Sequence, residues 1–234
     1  MGLVHSPLIV RDGLTCYLDA GNTRSYPNSG VTWTDLSGNG NNGTLVGGVG
    51  YSADNGGVLT FDGVDDYIQF PSTTISRNGG AFSIWFYVDD FTTFTAGKTV
   101  PSRVLVRGDN DYQRVIALYN SGFGYETNTN SNPDDIAGNT TPDWFASEIT
   151  SGTWINFVMS NQNSQSTFYI NSVFNRTLTV SDNLQLAYIG RGQSPTSYPD
   201  FLKGRVSNFK IYNRALTTSE VKQNFDAFRG RFGI

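Results

Sequence analysis

The stretch Ala81–Val88, AFSIWFYV, alternates Phe82, Ile84, Phe86 and Val88 with Ser83, Trp85 and Tyr87. Successive side chains of a strand point to opposite faces, so this segment carries bulk on both. A strand with one face in water would show polar residues along that side. The pattern therefore predicts a central strand with both faces covered, as in two packed sheets.

Working outward, strand signals recur along the whole chain. GLTCYLDA (13–20), RVLV (103–106), RVIALY (114–119), WINFVMS (154–160), STFYIN (166–171) and LAYIG (186–190) are separated by turns bearing Gly, Asn or Pro. Sixteen Phe, twelve Tyr and four Trp supply large apolar areas for a core, while only 15% of residues are charged. Many short strands with regular turn signals argue for an all-β sandwich, and 234 residues suit one such domain. No composition break marks a second domain. The polar tract 120–142 reads as a strand near Phe123 to Thr127 followed by a surface loop.

One helix is expected near the end, from about Thr218 to Phe228. Thr217 with Glu220 three residues later forms a capping-box pattern. Val221, Phe225 and Phe228 follow on one face, and Gly230 is placed to stop the helix.

Composition also excludes function classes. A formal charge of −4 argues against nucleic acid, which requires a basic face to displace counterions. Cys16 is the single cysteine, so no disulfide forms within the chain. No run approaches the ~20 apolar residues of a membrane span, and MGLVHSPLIV lacks the basic start of a signal peptide. Synthesis in a host cytoplasm is the expectation. The sequons at Asn42, Asn139 and Asn175 then carry no meaning beyond an Asn- and Thr-rich composition.

The blocks LTCYLDAGNTRSYPNSGVTWTDLSGNGNNGTL, LTFDGVDDYIQFP, AFSIWFYV, LAYIGRG and FLKGRVSNFKIYNRALTTSEVKQNF together resemble a concanavalin A-like (laminin G and pentraxin) jelly-roll domain. The likeness runs in order from about Gly13 to Phe228. It is similar to the version carried by structural proteins of tailed bacteriophages and marine viruses. The resemblance implies two antiparallel sheets, frequent carbohydrate binding and sometimes a calcium ion on one rim. The division is then an N-terminal arm, 1–12, and one jelly-roll domain, 13–234.

Two acidic places follow from that likeness. In FDGVDDY, Asp62, Asp65 and Asp66 are read first as a turn whose short carboxylates accept backbone N–H groups, and second as a calcium site. In RVLVRGDNDYQRVIALY, Asp109 and Asn110 match the pentraxin calcium pair, with Asp200 as a further ligand. The Glu-Gln-Asp run that completes that site is missing here, where Gln193 and Asp200 stand without a Glu. Calcium seeks six to eight oxygens, so any ion is expected to be weakly held, and no other cofactor is implied.

The fold also houses glucanases, but a retaining glycosidase needs two carboxyl groups about 5 Å apart. Glu126, Glu148 and Glu220 are the only glutamates, and none has the Glu-x-Asp-x-x-Glu neighbourhood of those enzymes. His5 is the only histidine, so neither a Ser–His base nor a zinc cluster can be assembled. The chain reads as a non-enzyme. Sugar binding instead requires an aromatic ring beside amides and carboxylates: Trp144 in TTPDWFAS, Tyr112 next to Asp111, and Tyr198 near Asp200, with Asn110. For each ring, anchoring of a loop is the competing role.

Assembly is read from the ends. Residues 203–234 carry seven Lys/Arg and two acids, +5 against −9 for the remainder, an asymmetry that can orient a protein on a negatively charged particle. The arm offers Leu8 and Ile9, and the C-terminal end Arg229 and Arg231, as contacts of a homo-oligomer, with a trimer the form suggested by viral fibres. The expected role is a virion surface protein, a capsid decoration or tail-fibre component with capsid or tail partners, whose loops bind glycans. The alternative is a free-standing carbohydrate-binding protein.

Overall fold

The computed structural model describes residues 7–89, 102–107, 115–119, 122–126, 143–145, 150–180, 183–191 and 201–234; of 102–104, 115–119, 122–126 and 143–145 it describes the backbone. The first strands are β1 (Leu14–Asp19), β2 (Thr32–Trp33), β3 (Gly43–Val46), β4 (Gly50–Ser52), β5 (Val58–Asp62), β6 (Tyr67–Ile75), β7 (Gly80–Val88) and β8 (Ser102–Arg107). Then come β9 (Val115–Tyr119), β10 (Gly122–Glu126), β11 (Asp143–Phe145), β12 (Trp154–Gln162), β13 (Gln165–Ile170), β14 (Val173–Thr179), β15 (Leu184–Ile189) and β16 (Lys203–Tyr212). Helices α1 (Thr218–Asp226) and α2 (Arg229–Phe232) close the chain.

The strands form two antiparallel sheets. The first runs β14-β13-β12-β7-β16-β5-β4, and the second β11-β10-β9-β8-β15-β6-β3-β2. Strand β16 is long enough to serve two neighbours on one edge. Lys203–Val206 pair with β5, while Asn208–Tyr212 pair with β1. AFSIWFYV is β7 at the middle of the first sheet, between β12 and β16, as its double alternation requires.

The two faces of β7 serve different layers. Phe82, Ile84 and Phe86 meet Phe157 and Met159 of β12, Phe209 of β16, and Ile68, Phe70, Leu186 and Ile189 of the opposite sheet in one buried core. Ser83 and Trp85 face outward, yet both are buried. The cover is the C-terminal segment: Trp85 stacks on Phe225 at 5.4 Å and on Phe232 at 4.4 Å, and Trp154 lies 4.5 Å from Phe232.

Helix α1 starts as its sequence dictates. Thr217 accepts the N–H of Glu220, and the Glu220 carboxylate accepts the N–H of Thr217. Arg214 grips the same carboxylate at 2.6 Å and holds the Glu220 acid down at about 2. Val221, Phe225 and Phe228 are all buried. The stop differs from expectation: α1 ends at Asp226, and Gly230 lies inside α2 instead of terminating a helix. The break lets Phe232 turn back onto Trp85, which one continuous helix would not do.

The arm is not loose where it is described. Asn224 accepts the Val10 N–H at 2.9 Å, Tyr212 donates to the Val10 carbonyl at 3.1 Å, and Gln223 donates to the Leu8 carbonyl at 2.6 Å. Val10 is buried and Ile9 packs beside Trp85 and Phe225, while the Leu8 side chain is 78% exposed. Of the described apolar residues of the arm, Val10 and Ile9 are thus used within the chain and Leu8 is not.

Candidate functional site

Among the described residues no helix covers the outer face of the second sheet, and this face carries a groove. A row of outward positions crosses three strands: Thr44 of β3 pairs with Gln69 of β6, and Gln69 with Tyr188 of β15. Beside this row the register slips. Between the Gln69–Tyr188 and Thr73–Leu186 pairs, β6 holds Phe70, Pro71 and Ser72 against Ala187 alone. Extra residues bend a strand away from its partner, and Pro71 has no N–H to pair. The result is a groove of about 380 Å³ lined by Asn42, Thr44, Gln69, Phe70, Pro71, Ser72, Ala187 and Tyr188.

Its chemistry is amide and hydroxyl over an apolar floor. Asn42 uses Oδ1 to accept the Asp35 N–H at 2.8 Å, which leaves its Nδ2 as a donor. Ser72 donates to Gln185 at 3.2 Å. Gln69 and Thr44 are exposed, with side-chain polar groups that form no hydrogen bond among the described residues. At the end of the row, Arg191 lies with its guanidinium carbon 4.3 Å from the Tyr188 ring centre and 5.5 Å from that of Tyr67. Arg107, paired with Tyr188 across β8 and β15, sits 6.0 Å from the same ring.

A second feature is the acidic turn between β5 and β6. Asp62 is exposed, Asp65 is exposed and Asp66 is buried, and one carboxylate oxygen of each falls within 4.8 Å of the others. Asp66 Oδ2 accepts the Asp62 N–H at 2.9 Å, and Asp62 Oδ1 accepts the Val64 N–H at 2.7 Å. Gly63 takes φ 83°, a conformation that suits glycine. Burial, with Asp62 and Asp65 close by, raises the Asp66 acid above the usual carboxylate range. Asp66 Oδ1 is buried without a hydrogen-bond partner. The oxygens not used by the turn are Asp62 Oδ2, the Asp65 pair and Asp66 Oδ1. That is well short of the six to eight a calcium ion requires, so these residues by themselves do not fit a strong calcium centre.

The other sequence-derived candidates divide sharply. Asp109, Asn110, Tyr112, Tyr198 and Asp200 lie outside the described residues. Trp144 is in β11, its backbone paired with Gly124 of β10, rather than in a loop. Arg231 ion-pairs with Asp19 at 2.9 Å and Arg229 with Asp226 at 3.2 Å. The basic character of the C-terminal end is therefore mostly neutralised within the chain. Arg205, Arg214 and Lys222 also meet carboxylates, and Lys210 is fully buried.

Neither groove nor buried lysine was visible from sequence. Thr44, Gln69 and Tyr188 are far apart in the chain and align only through strand pairing. The one available signal was the outward alternation of Tyr67 and Gln69 in YIQFP, which breaks at the proline.

Comparison with known proteins agrees with this geometry. The sequence profile of the concanavalin A-like lectin/glucanases superfamily matches residues 62–222, about two thirds of the chain. The chain belongs to this superfamily. Among solved members of this fold, domain 4 of a GH43 extracellular arabinanase (AbnA) from Geobacillus stearothermophilus, in complex with arabinotriose, is 20% identical with TM-score 0.65. The match covers 90% of this chain and 97% of that one. The binding domain of Paraclostridial Mosquitocidal Protein 1 is 18% identical, TM-score 0.65, covering 92% of this chain and 52% of that one. A mutant Trypanosoma rangeli sialidase displaying trans-sialidase activity is 15% identical, TM-score 0.66, covering 95% and 34%. The chain thus spans about half of the toxin domain and a third of the sialidase. At these identities the likeness is one of fold. No match is found among curated protein sequences.

Proposed function

We propose that this superfamily member is a non-catalytic carbohydrate-binding domain whose sugar site is the groove between β3, β6 and β15. The observation that carries the reading is the row Thr44–Gln69–Tyr188 beside the Pro71 bulge. It offers hydroxyl and amide partners above the apolar Phe70, Pro71 and Ala187, at a volume suited to a small ligand. Sugars present hydroxyl edges and apolar ring faces, which such a lining complements. Among the described residues, no Asp or Glu lines the groove, which supports binding without glycosidic cleavage, since both hydrolytic routes need two carboxyl groups. Arabinotriose in the complex of the arabinanase domain lends support to a saccharide ligand. A glycan array probed with the full chain tests the reading. Gln69→Ala should weaken the bound glycan about tenfold, and Thr44→Trp, which fills the groove, should abolish binding. Unchanged binding in both variants moves the site elsewhere.

We further propose that the domain serves on a virion surface, as a capsid decoration or tail-fibre component, and acts as a homo-oligomer. The motif order from Gly13 to Phe228 supports this placement. Mass spectrometry of purified virions tests it. Recovery of the chain free of particles, beside polysaccharide-degrading enzymes, would favour a free-standing sugar binder.

A further inference from the structure

We propose that the groove takes an anionic glycan, and that Arg191 receives its carboxylate or sulfate group. The inference rests on the reading of this groove as a sugar site and names the class of sugar.

Arg191 is half-buried at the end of β15. Its guanidinium lies over Tyr188, which lines the groove, and within 5.5 Å of the Tyr67 ring centre. The two tyrosines meet edge to face, centroids 6.0 Å apart at 72°. A guanidinium that rests on an aromatic face can still offer N–H donors to a planar oxyanion. Arg205, Arg214 and Arg231, comparably buried, each meet a carboxylate. Arg191 has neither a hydrogen bond nor an ion pair among the described residues.

The surrounding field has the same sign. Arg107 lies 6.0 Å from the Tyr188 ring centre but is buried, so Arg191 is the guanidinium placed to meet a ligand. The outward positions near the groove are Thr44, Val46, Tyr67, Gln69, Gln185 and Tyr188, none of them acidic. Asp65 and Asp66, which precede Tyr67, belong to the turn before β6. In a chain of net charge −4, the described residues thus place Arg191 beside the groove with no carboxylate among these outward positions. A neutral sugar can accept single hydrogen bonds from that guanidinium through its hydroxyls. An anionic one adds attraction between opposite charges and a bidentate pair of N–H···O bonds, the geometry a guanidinium matches best.

The test is an array of defined uronate-containing, sialylated and sulfated oligosaccharides, each printed beside its neutral parent. It is probed with the full chain, Arg191→Ala, Arg191→Lys and Gln69→Ala. Matched unfolding temperatures show that the variants fold. Acidic members should be retained at least about tenfold better than their parents, less so at high salt. Arg191→Ala should erase that preference while residual neutral binding persists, and Arg191→Lys should restore part of it. The uronate, sialylated and sulfated sets separate carboxylate from sulfate recognition. Neutral parents bound as well as acidic members, and lost in Gln69→Ala, would overturn the inference and keep the glycan reading. An array with no bound glycan of either kind would overturn both.

Discussion

Arg231 Nη1 lies 2.9 Å from Asp19 Oδ1 and ties the last helix to the first strand across 212 positions. The same guanidinium donates from Nε to the Asn55 carbonyl and from Nη2 to the Gly57 carbonyl, both at 3.0 Å. Gly21 must be glycine for this to occur, since a Cβ there would meet Arg231 Nη2 and the Gly56 carbonyl. Asp19 is buried and also accepts from Tyr17 at 2.9 Å. Arg231→Ala should leave that carboxylate without its cation and cost about 3 kcal/mol. Denaturant unfolding measures this, and a loss under about 1 kcal/mol would mean the clamp does not hold the end of the chain.

The aromatic layer under the helices should be as costly to breach. Phe225 and Phe232 both stack on Trp85, at 5.4 and 4.4 Å. Phe225→Ala should cost roughly 3–5 kcal/mol and shift tryptophan emission to the red as Trp85 gains water. Emission and stability both close to those of the parent would place the helix off the sheet.

Lys210 should give the protein a basic-side pH dependence. It is fully buried, donates to Asn208 and lies 4.1 Å from the Phe228 ring centre and 5.3 Å from that of Tyr17. Burial pushes its amine down to about 7, against the pull of Asp19 and with the push of Arg231. The unfolded amine titrates near its ordinary value of about 10.4. Between those values the unfolded chain holds more protons, so stability rises with pH, at up to about 1.4 kcal/mol per unit. The part gained is lost as pH falls through about 7. Denaturation midpoints from pH 7 to 9.5 should therefore climb in the parent and stay level in Lys210→Met. Parallel curves would remove Lys210 as the source. Above about pH 10 the trend should turn, because burial raises the hydroxyls of Tyr17 and Tyr212.

How much was legible in the sequence depended on how local the cause was. The capping box spans Thr217 to Glu220, and the acidic turn spans Asp62 to Asp66; both could be read because their partners lie within four residues. The double alternation of β7 forced a central position without any knowledge of its neighbours. By contrast, Lys210 looks like any lysine in a basic C-terminal stretch. Its burial depends on Phe228 and Tyr17 closing over it, contacts made by three separate elements. The groove residues Thr44, Gln69 and Tyr188 come together only through register, including a bulge whose one sequence trace is Pro71. The break between α1 and α2 was missed for a related reason. Gly230 is a sound local stop, but the packing of Phe228 and Phe232 ends the first helix earlier.

Calcium should be held weakly if at all by the β5–β6 turn. Backbone N–H groups already occupy one oxygen of Asp62 and one of Asp66. Titration calorimetry should find no calcium binding tighter than about 10⁻⁴ M, the range of the weakest protein calcium modules. Micromolar binding lost in Asp62→Ala would make the turn a metal centre, whereas micromolar binding retained in that variant would point to another rim.

The arm separates a folding role from an assembly role, and the two can be tested apart. A chain starting at Asp12 loses the buried Val10 side chain, worth about 1.5–3 kcal/mol. It also leaves Asn224 Oδ1 without the Val10 N–H it accepts, at about 1–3 kcal/mol, and the Tyr212 hydroxyl without the Val10 carbonyl, so that Tyr212 keeps only the bond it accepts from Asn224. It should therefore unfold at clearly lower denaturant than the parent, even as a monomer. Leu8→Ser tests assembly without that loss, because Gln223 bonds the Leu8 backbone carbonyl and the side chain is 78% exposed. Stability should be unchanged in this variant. If Leu8 inserts into a neighbouring copy, light scattering should show the oligomer of the parent reduced to a smaller species. An identical mass for parent and Leu8→Ser would confine the arm to strapping Val10 against α1 and β16.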